Sequence, residues 1–179
     1  MMLSLVLISF LLFSAYNIGI VSKFGIPPSL SQSYYLLNGV KKNLGFLFTG
    51  MMLTMAFTLL PAWLELGEVI SLWSSHLNPL AFFTCAAIAF VGAAPAFRAN
   101  KLEGTVHEVA AKVAAACSMI WCLVVCWKIM YVPLGVAGLV AVVGAITKTW
   151  KSAGVYWLEM MAFGATFATV IVELILQLI

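Results

Sequence analysis

Residues 155–179 read VYWLEMMAFGATFATVIVELILQLI, an apolar run that carries two carboxylates, Glu159 and Glu173. A helix needs about 20 mostly apolar residues to cross roughly 30 Å of hydrocarbon, and this run is long enough. An ionisable group inside such a helix costs about 2.5–3.5 kcal/mol on insertion scales and turns toward protein or water rather than lipid. Thr166 stands midway between Glu159 and Glu173, and each seven-residue step is close to two helical turns. The three therefore share one face, with Thr169 beside them. The run reads as the last span of a helical membrane bundle, its polar stripe turned inward.

The rest of the chain agrees. It has 179 residues, 64% hydrophobic and 8% charged, with a mean hydropathy of +1.12. A soluble domain is about 25% charged, so a water-soluble globule is excluded, as are a disordered chain and a disulfide scaffold. The acids are all glutamate. Without aspartate, a Ser-His-Asp triad and an aspartate-rich metal–diphosphate site are excluded as well.

Working back from the last run, six apolar segments are expected to span: about 1–21, 44–64, 79–97, 106–127, 132–146 and 155–179. The fold class is all-α, an integral membrane bundle of six transmembrane helices forming a single domain over residues 1–179. The opening run lacks a basic n-region and leads into Pro27-Pro28 rather than a small-residue cleavage site, so it reads as a retained span. The fourth and fifth segments are joined so closely that a helical hairpin is expected. Ser29 with Gln32 has the spacing of a capping box, giving a short interfacial helix near residues 30–37 with Leu30, Tyr34 and Leu37 on its headgroup-facing side.

Basic residues set the orientation of such a bundle. Lys23, Lys41, Lys42, Arg98, Lys101, Lys112, Lys148 and Lys151 fall on the side of loops one, three and five, and Lys128 on the other. Loops one, three and five are thus expected in the cytoplasm, with both termini outside a bacterial inner membrane. Trp63, Trp73, Trp127 and Tyr131 would mark one interface, and Tyr34, Tyr35, Trp150, Tyr156 and Trp157 the other. Small residues allow close helix approach. Ala137, Ala141 and Ala145, with Gly138 and Gly144, place the fifth span in the tight centre. Ala110, Ala111, Ala114 and Ala115 do the same for the fourth span, and Ala86, Ala87, Ala89, Gly92 and Ala93 for the third. Met51, Met52, Met55, Phe46, Phe48 and Phe57 give span two a lipid-facing or adaptable character.

Candidate ligand or pathway residues follow from the few polar groups. Counted from the shared inner boundary, Lys112 matches Glu159 in depth and Lys128 matches Glu173, so two ion pairs are expected between spans four and six. Thr105-Val106-His107-Glu108 reads as a capping box opening span four, and Glu108 stands one turn before Lys112. Two readings stay open: charges that snorkel and pair for stability, or a polar cavity built from Glu159, Lys112 and His107. Ser29, Ser31 and Tyr34 offer hydroxyls to a lipid headgroup or polar ligand at the same end. Cys85, Cys117, Cys122 and Cys126 lie within spans and read as small hydrophobes. No catalytic residue, metal site or cofactor is expected, and no nucleic-acid signature occurs.

Three stretches carry a resemblance: residues 25–35 (GIPPSLSQSYY), 90–95 (FVGAAP) and 102–107 (LEGTVH). They resemble small multi-span membrane proteins of Bacteroidales and their crAss-like phages, a group that brings no activity with it. A weaker likeness runs to the six-span damage-regulated autophagy modulator-like proteins, which carry a Pro-x-Ile-Ser-like motif after span one and a histidine after span three. That family places the first loop outside, whereas Lys23, Lys41 and Lys42 place it inside here. Neither resemblance implies a catalytic centre. The expected function is binding of a lipid, a small molecule or a partner membrane protein, with membrane lipids as surroundings and a homo-oligomer as one possible assembly. The alternative is a small transporter or channel using Glu159, Thr166 and Glu173.

Overall fold

The computed structural model describes residues 1–70, 74–95, 98 and 101–179. Among the described residues every regular element is helical. The helices are α1 (Met2–Phe24), α2 (Ser33–Val40), α3 (Phe46–Ile70), α4 (Asn78–Ala93), α5 (Lys101–Val124), α6 (Tyr131–Ile146) and α7 (Trp150–Leu176), with 3₁₀ turns at Leu30–Gln32, Ser74–Leu77 and Trp127–Ile129. Four of them, α1, α3, α5 and α7, are long and apolar enough to cross a membrane; α4 and α6 are shorter apolar helices. The segment near residues 30–37 is helical as expected, but as a 3₁₀ turn running into α2.

Helices α1, α3, α4, α5 and α7 form a closed circuit, each packed on the next and α7 back on α1, while α6 lies outside it against α7. The reason is visible in the side chains. On α1 the buried residues Val6, Ser9, Phe13, Asn17 and Ile20 repeat every three to four positions, a single stripe suited to one seam. Its outer face stays apolar, with Ile8, Leu11 and Ile18 exposed. Helix α3 instead buries one broad face, with Phe48, Met51, Met52, Met55, Ala56, Leu59 and Trp63 among its buried residues. It packs on α1, α4 and α7, so the lipid-facing half of the expectation is corrected for the methionines and Phe48. Phe46 and Phe57 do point out, but the methionines fill the irregular gaps between neighbouring helices, as an unbranched thioether can.

The fifth apolar segment is corrected in the opposite sense. On α6 only Pro133 and Gly144 are buried, and Gly135 and Gly138 have open space beside them. The expected α5–α6 hairpin is replaced by an α6–α7 pair. Trp150 donates its indole N–H to the Ala141 carbonyl at 3.2 Å, and a β-carbon at Gly144 would lie 2.7 Å from that indole. Small residues there admit a tryptophan rather than a central helix.

Helix limits also differ from the expected ones. Pro61 sits inside α3, which continues to Ile70 rather than ending near Leu64. Helix α5 begins at Lys101, so Thr105 lies within the helix and donates back to the Lys101 carbonyl at 3.0 Å; the expected capping box at Thr105 does not form. Ser29 likewise makes no cap bond and instead meets Ser31 at 3.2 Å. Leu30, expected at the headgroups, is 2% exposed and belongs to the core. Trp63 is fully buried and therefore marks no interface, while Trp127 and Tyr131 are exposed. Trp73 and the expected end of the third span at Phe97 lie outside the described residues.

Gly92 is where α4 meets α3 most closely: a β-carbon there would lie 2.8 Å from Cβ of Met52 and 3.4 Å from the Thr49 carbonyl. Gly92→Leu is expected to cost about 1–3 kcal/mol through overpacking, read as a lower thermal unfolding temperature of the purified protein. Gly138→Ala, which meets nothing within 4 Å, should leave that temperature unchanged or slightly raised.

Candidate functional site in the bundle interior

The site begins where helical structure breaks at two places. Helix α1 stops at Phe24, where Gly25 takes φ 75°, a left-handed conformation that glycine adopts without a steric penalty. Pro27 and Pro28 then prevent the helix from resuming, and the chain bends at Pro28 and Ser29. Helix α7 is kinked at Ala153 (φ −136°, ψ 31°), between Ser152 and Gly154, a setting in which helices commonly bend. Amides in the turn after such a break need acceptors from elsewhere. The two breaks supply each other. Tyr156 donates its backbone N–H to the Pro28 carbonyl at 3.1 Å, and Leu30 donates its N–H to Oε2 of Glu159 at 2.6 Å.

Polar side chains from α1 and the start of α2 extend this joint. Ser33 donates to the Leu30 carbonyl at 2.5 Å and pairs with the Tyr16 hydroxyl at 2.6 Å. The Tyr156 hydroxyl reaches Oδ1 of Asn17 at 3.4 Å, whose amide nitrogen donates to the Phe13 carbonyl at 2.9 Å. Loop one is thus fastened between α1 and α7. Buried polar groups are tolerated when they are hydrogen-bonded to one another in this way.

Next to the joint lies a cavity enclosed by the Leu30–Gln32 turn, α3, α4, α5 and α7. Its volume is about 570 Å³ including its open mouth, of which about 50 Å³ admits the centre of a water molecule. That is room for several waters. Most of the wall is apolar, from Met52, Leu59, Ile88 and Val91 to Ala111, Ala114 and Ala115. Glu159 and Ser31 stand at the end near loop one, and Phe48 and Phe163 line the wall with Trp63 and Thr166 further along.

The polar groups on this wall divide into two kinds. Thr84 and Ser118 bond back to their own helices, at 2.8 Å to Leu80 and 3.0 Å to Ala115. The Trp63 indole N–H and the Thr166 hydroxyl are buried with no hydrogen-bond partner of normal geometry. Trp121 stacks on Trp63 with centroids 5.4 Å apart and planes at 29°, and its indole N–H also lacks an acceptor. A buried donor without an acceptor costs about 1–3 kcal/mol, so a cluster of them beside a cavity marks a place where something else supplies the bond.

The candidate residues separate accordingly. Glu159, Thr166 and Ser31 come together on the cavity. Lys112 does not: it pairs with Glu108 on the exposed side of α5 at 2.5 Å, so the expected Lys112–Glu159 pair is absent. The i,i+4 partner is nearer and reachable without desolvation. Glu173 is 7% exposed, with the Cys126 thiol near enough to interact with it. Lys128 acts on it only through space and makes no ion pair with it. His107 is buried and its Nδ1 donates to the Ala94 carbonyl at 3.0 Å, tying α5 to the end of α4. Ser29 meets Ser31, and Tyr34 packs edge-on against Tyr35 at 5.3 Å, away from the cavity wall. Missed in the sequence were Asn17, Phe48, Trp63, Trp121 and Phe163. Periodicity marks them as apolar or helical, and nothing in their spacing marks a wall.

Fold and site together define an all-helical bundle with several membrane-length apolar helices around a mixed cavity. No protein-family model, no curated protein and no solved structure matches this chain.

Glu159→Ala removes the acceptor of the Leu30 N–H and is expected to cost about 1–3 kcal/mol, with faster hydrogen exchange at the amides of residues 29–33. Glu159→Gln keeps an oxygen acceptor and should protect those amides nearly as well as the wild type. Lys112→Met should leave both stability and exchange unchanged, because its ion pair is exposed. Equal exchange in Glu159→Ala and wild type is the result that rules out the joint.

Proposed function

We propose that this protein is a multi-pass membrane protein that works by binding rather than by catalysis, holding a small, largely apolar molecule from the bilayer in the cavity between α3, α4, α5 and α7. The observation that supports this is the combination on one wall of apolar side chains with a buried polar group that the fold leaves unpartnered, the Trp63 indole N–H. Binding sites for small ligands have this composition, a mostly apolar wall with a few placed polar groups. In this reading all six apolar helices cross the bilayer. Helices α4 and α6 have 16 residues each, about 24 Å at 1.5 Å per residue, and each is extended by the 3₁₀ turn before it. Loops one, three and five lie in the cytoplasm on the strength of their lysines. The outward faces, where Leu11, Phe57, Phe82 and Leu139 are exposed, contact lipid tails.

The test is mass spectrometry of the protein released from lipid nanodiscs. The wild type is expected to carry a bound small mass that Ala115→Phe, which fills the cavity, does not retain. Identical bound masses in the two proteins rule out this cavity as the binding site.

A second reading has its own support in a line of polar groups along α7. Beyond Thr166, the Cys122 thiol interacts with Thr166 and Thr169, and the Cys126 thiol with Glu173. Glu159 to Glu173 would then form a lane for protons or small cations. Liposomes containing the protein should show a flux that Glu173→Gln reduces at least about tenfold, since an intramembrane carboxylate on such a route is required for transfer. Flux that is insensitive to Glu173→Gln excludes the lane.

A further inference from the structure

Glu159 differs from the other polar groups on the cavity wall in being a carboxyl group to which the protein offers no counter-charge. Among the described residues its one hydrogen bond comes from the Leu30 N–H, and no cationic side chain lies near enough to act on it. Lys112 is engaged by Glu108 on the outer side of α5. An ionised carboxylate away from water is costly unless a counter-charge is supplied.

The remaining wall indicates what that counter-charge is attached to. Among the described residues no Lys, Arg or His lines the cavity, so an anionic ligand such as a fatty acid or a phosphate would find no cationic partner there. Phe163 lies one turn beyond Glu159 on the same face of α7, and Phe48 and Trp63 line α3 opposite. Aromatic faces attract cations, the more so where water is excluded. Met52, Leu59, Ile88 and Val91 complete a wall suited to a hydrocarbon body.

From this juxtaposition we propose that the cavity selects organic cations, amines or quaternary ammonium compounds with an apolar or aromatic body, and that Glu159 is their counter-charge, with Phe163 and Phe48 flanking the head. This rests on the cavity being a binding site, and it names the chemical class that the site prefers.

The test compares benzyltrimethylammonium with neopentylbenzene, in which carbon replaces the ammonium nitrogen, by titration calorimetry on the protein in nanodiscs of zwitterionic lipid. The cation is expected to bind at least about tenfold more tightly than its neutral isostere. Glu159→Gln should erase that preference while leaving the isostere's affinity unchanged, and Lys112→Met should preserve it. Phe163→Leu, a second variant in case Glu159→Gln does not fold, should lower cation affinity more than isostere affinity. Equal binding of the two compounds, or a preference that survives Glu159→Gln, overturns the cation assignment and leaves the cavity as a site for neutral molecules. If neither compound binds but a bound mass is still lost in Ala115→Phe, the ligand class is wrong and the site stands. If no bound mass is lost either, both fail together.

Discussion

Two backbone hydrogen-bonding groups in loop one and two groups on α7 satisfy each other, and the interior depends on that exchange. Pro28 and Leu30 present a carbonyl and an amide left over from a proline turn. Tyr156 and Glu159 present an amide and a carboxylate left over from a kinked helix. Unpaired backbone groups are expensive wherever water is scarce, and more so at the depth of a bilayer. Neither break in helical structure is tolerable alone; together they fasten loop one into the end of the bundle. Tyr16, Asn17 and Ser33 extend the same arrangement to α1, so that α1, loop one and the distant α7 are held by one polar layer.

This joint also shapes the cavity. Because Leu30 is drawn inward, it closes one end of the space between α3, α5 and α7 instead of lying at the surface. The small residues Ala111, Ala114 and Ala115 on α5 leave room that larger side chains would fill. On the far side, Trp63 and Trp121 stack and keep the walls apart. The cavity results from large aromatic pillars facing short side chains, a mismatch that close-packed interiors normally avoid.

Much of the architecture is legible in the sequence, since long apolar runs set helix existence and approximate limits. The polar stripe of Thr166, Thr169 and Glu173 is also found turned inward, because a seven-residue repeat on a helix needs no tertiary information. What is not legible depends on partner choice. Lys112 has a carboxylate one turn away and another across the bundle, and depth matching cannot weigh their desolvation; the local Glu108 wins. Small residues on α6 resemble those of α5 in composition, yet α6 uses them to seat Trp150 at the edge. The kink at Ala153 has no proline to announce it. Without the kink, neither the Tyr156 amide nor the position of Leu30 is foreseeable.

Glu159 consequently holds two duties that compete for one group. One carboxylate oxygen is committed to the Leu30 amide, while the side chain lies on the cavity wall. A carboxylate has about four lone-pair sites over its two oxygens, so a cation in the cavity and the loop amide can share it. The shared negative charge strengthens both contacts, because hydrogen bonds to an ionised acceptor are about twice as strong as neutral ones. Under the proposed assignment, a cation that keeps Glu159 ionised therefore also tightens loop one against α7. Under the same assignment, occupancy of the cavity and closure of its loop-one end are linked through the single side chain that touches both.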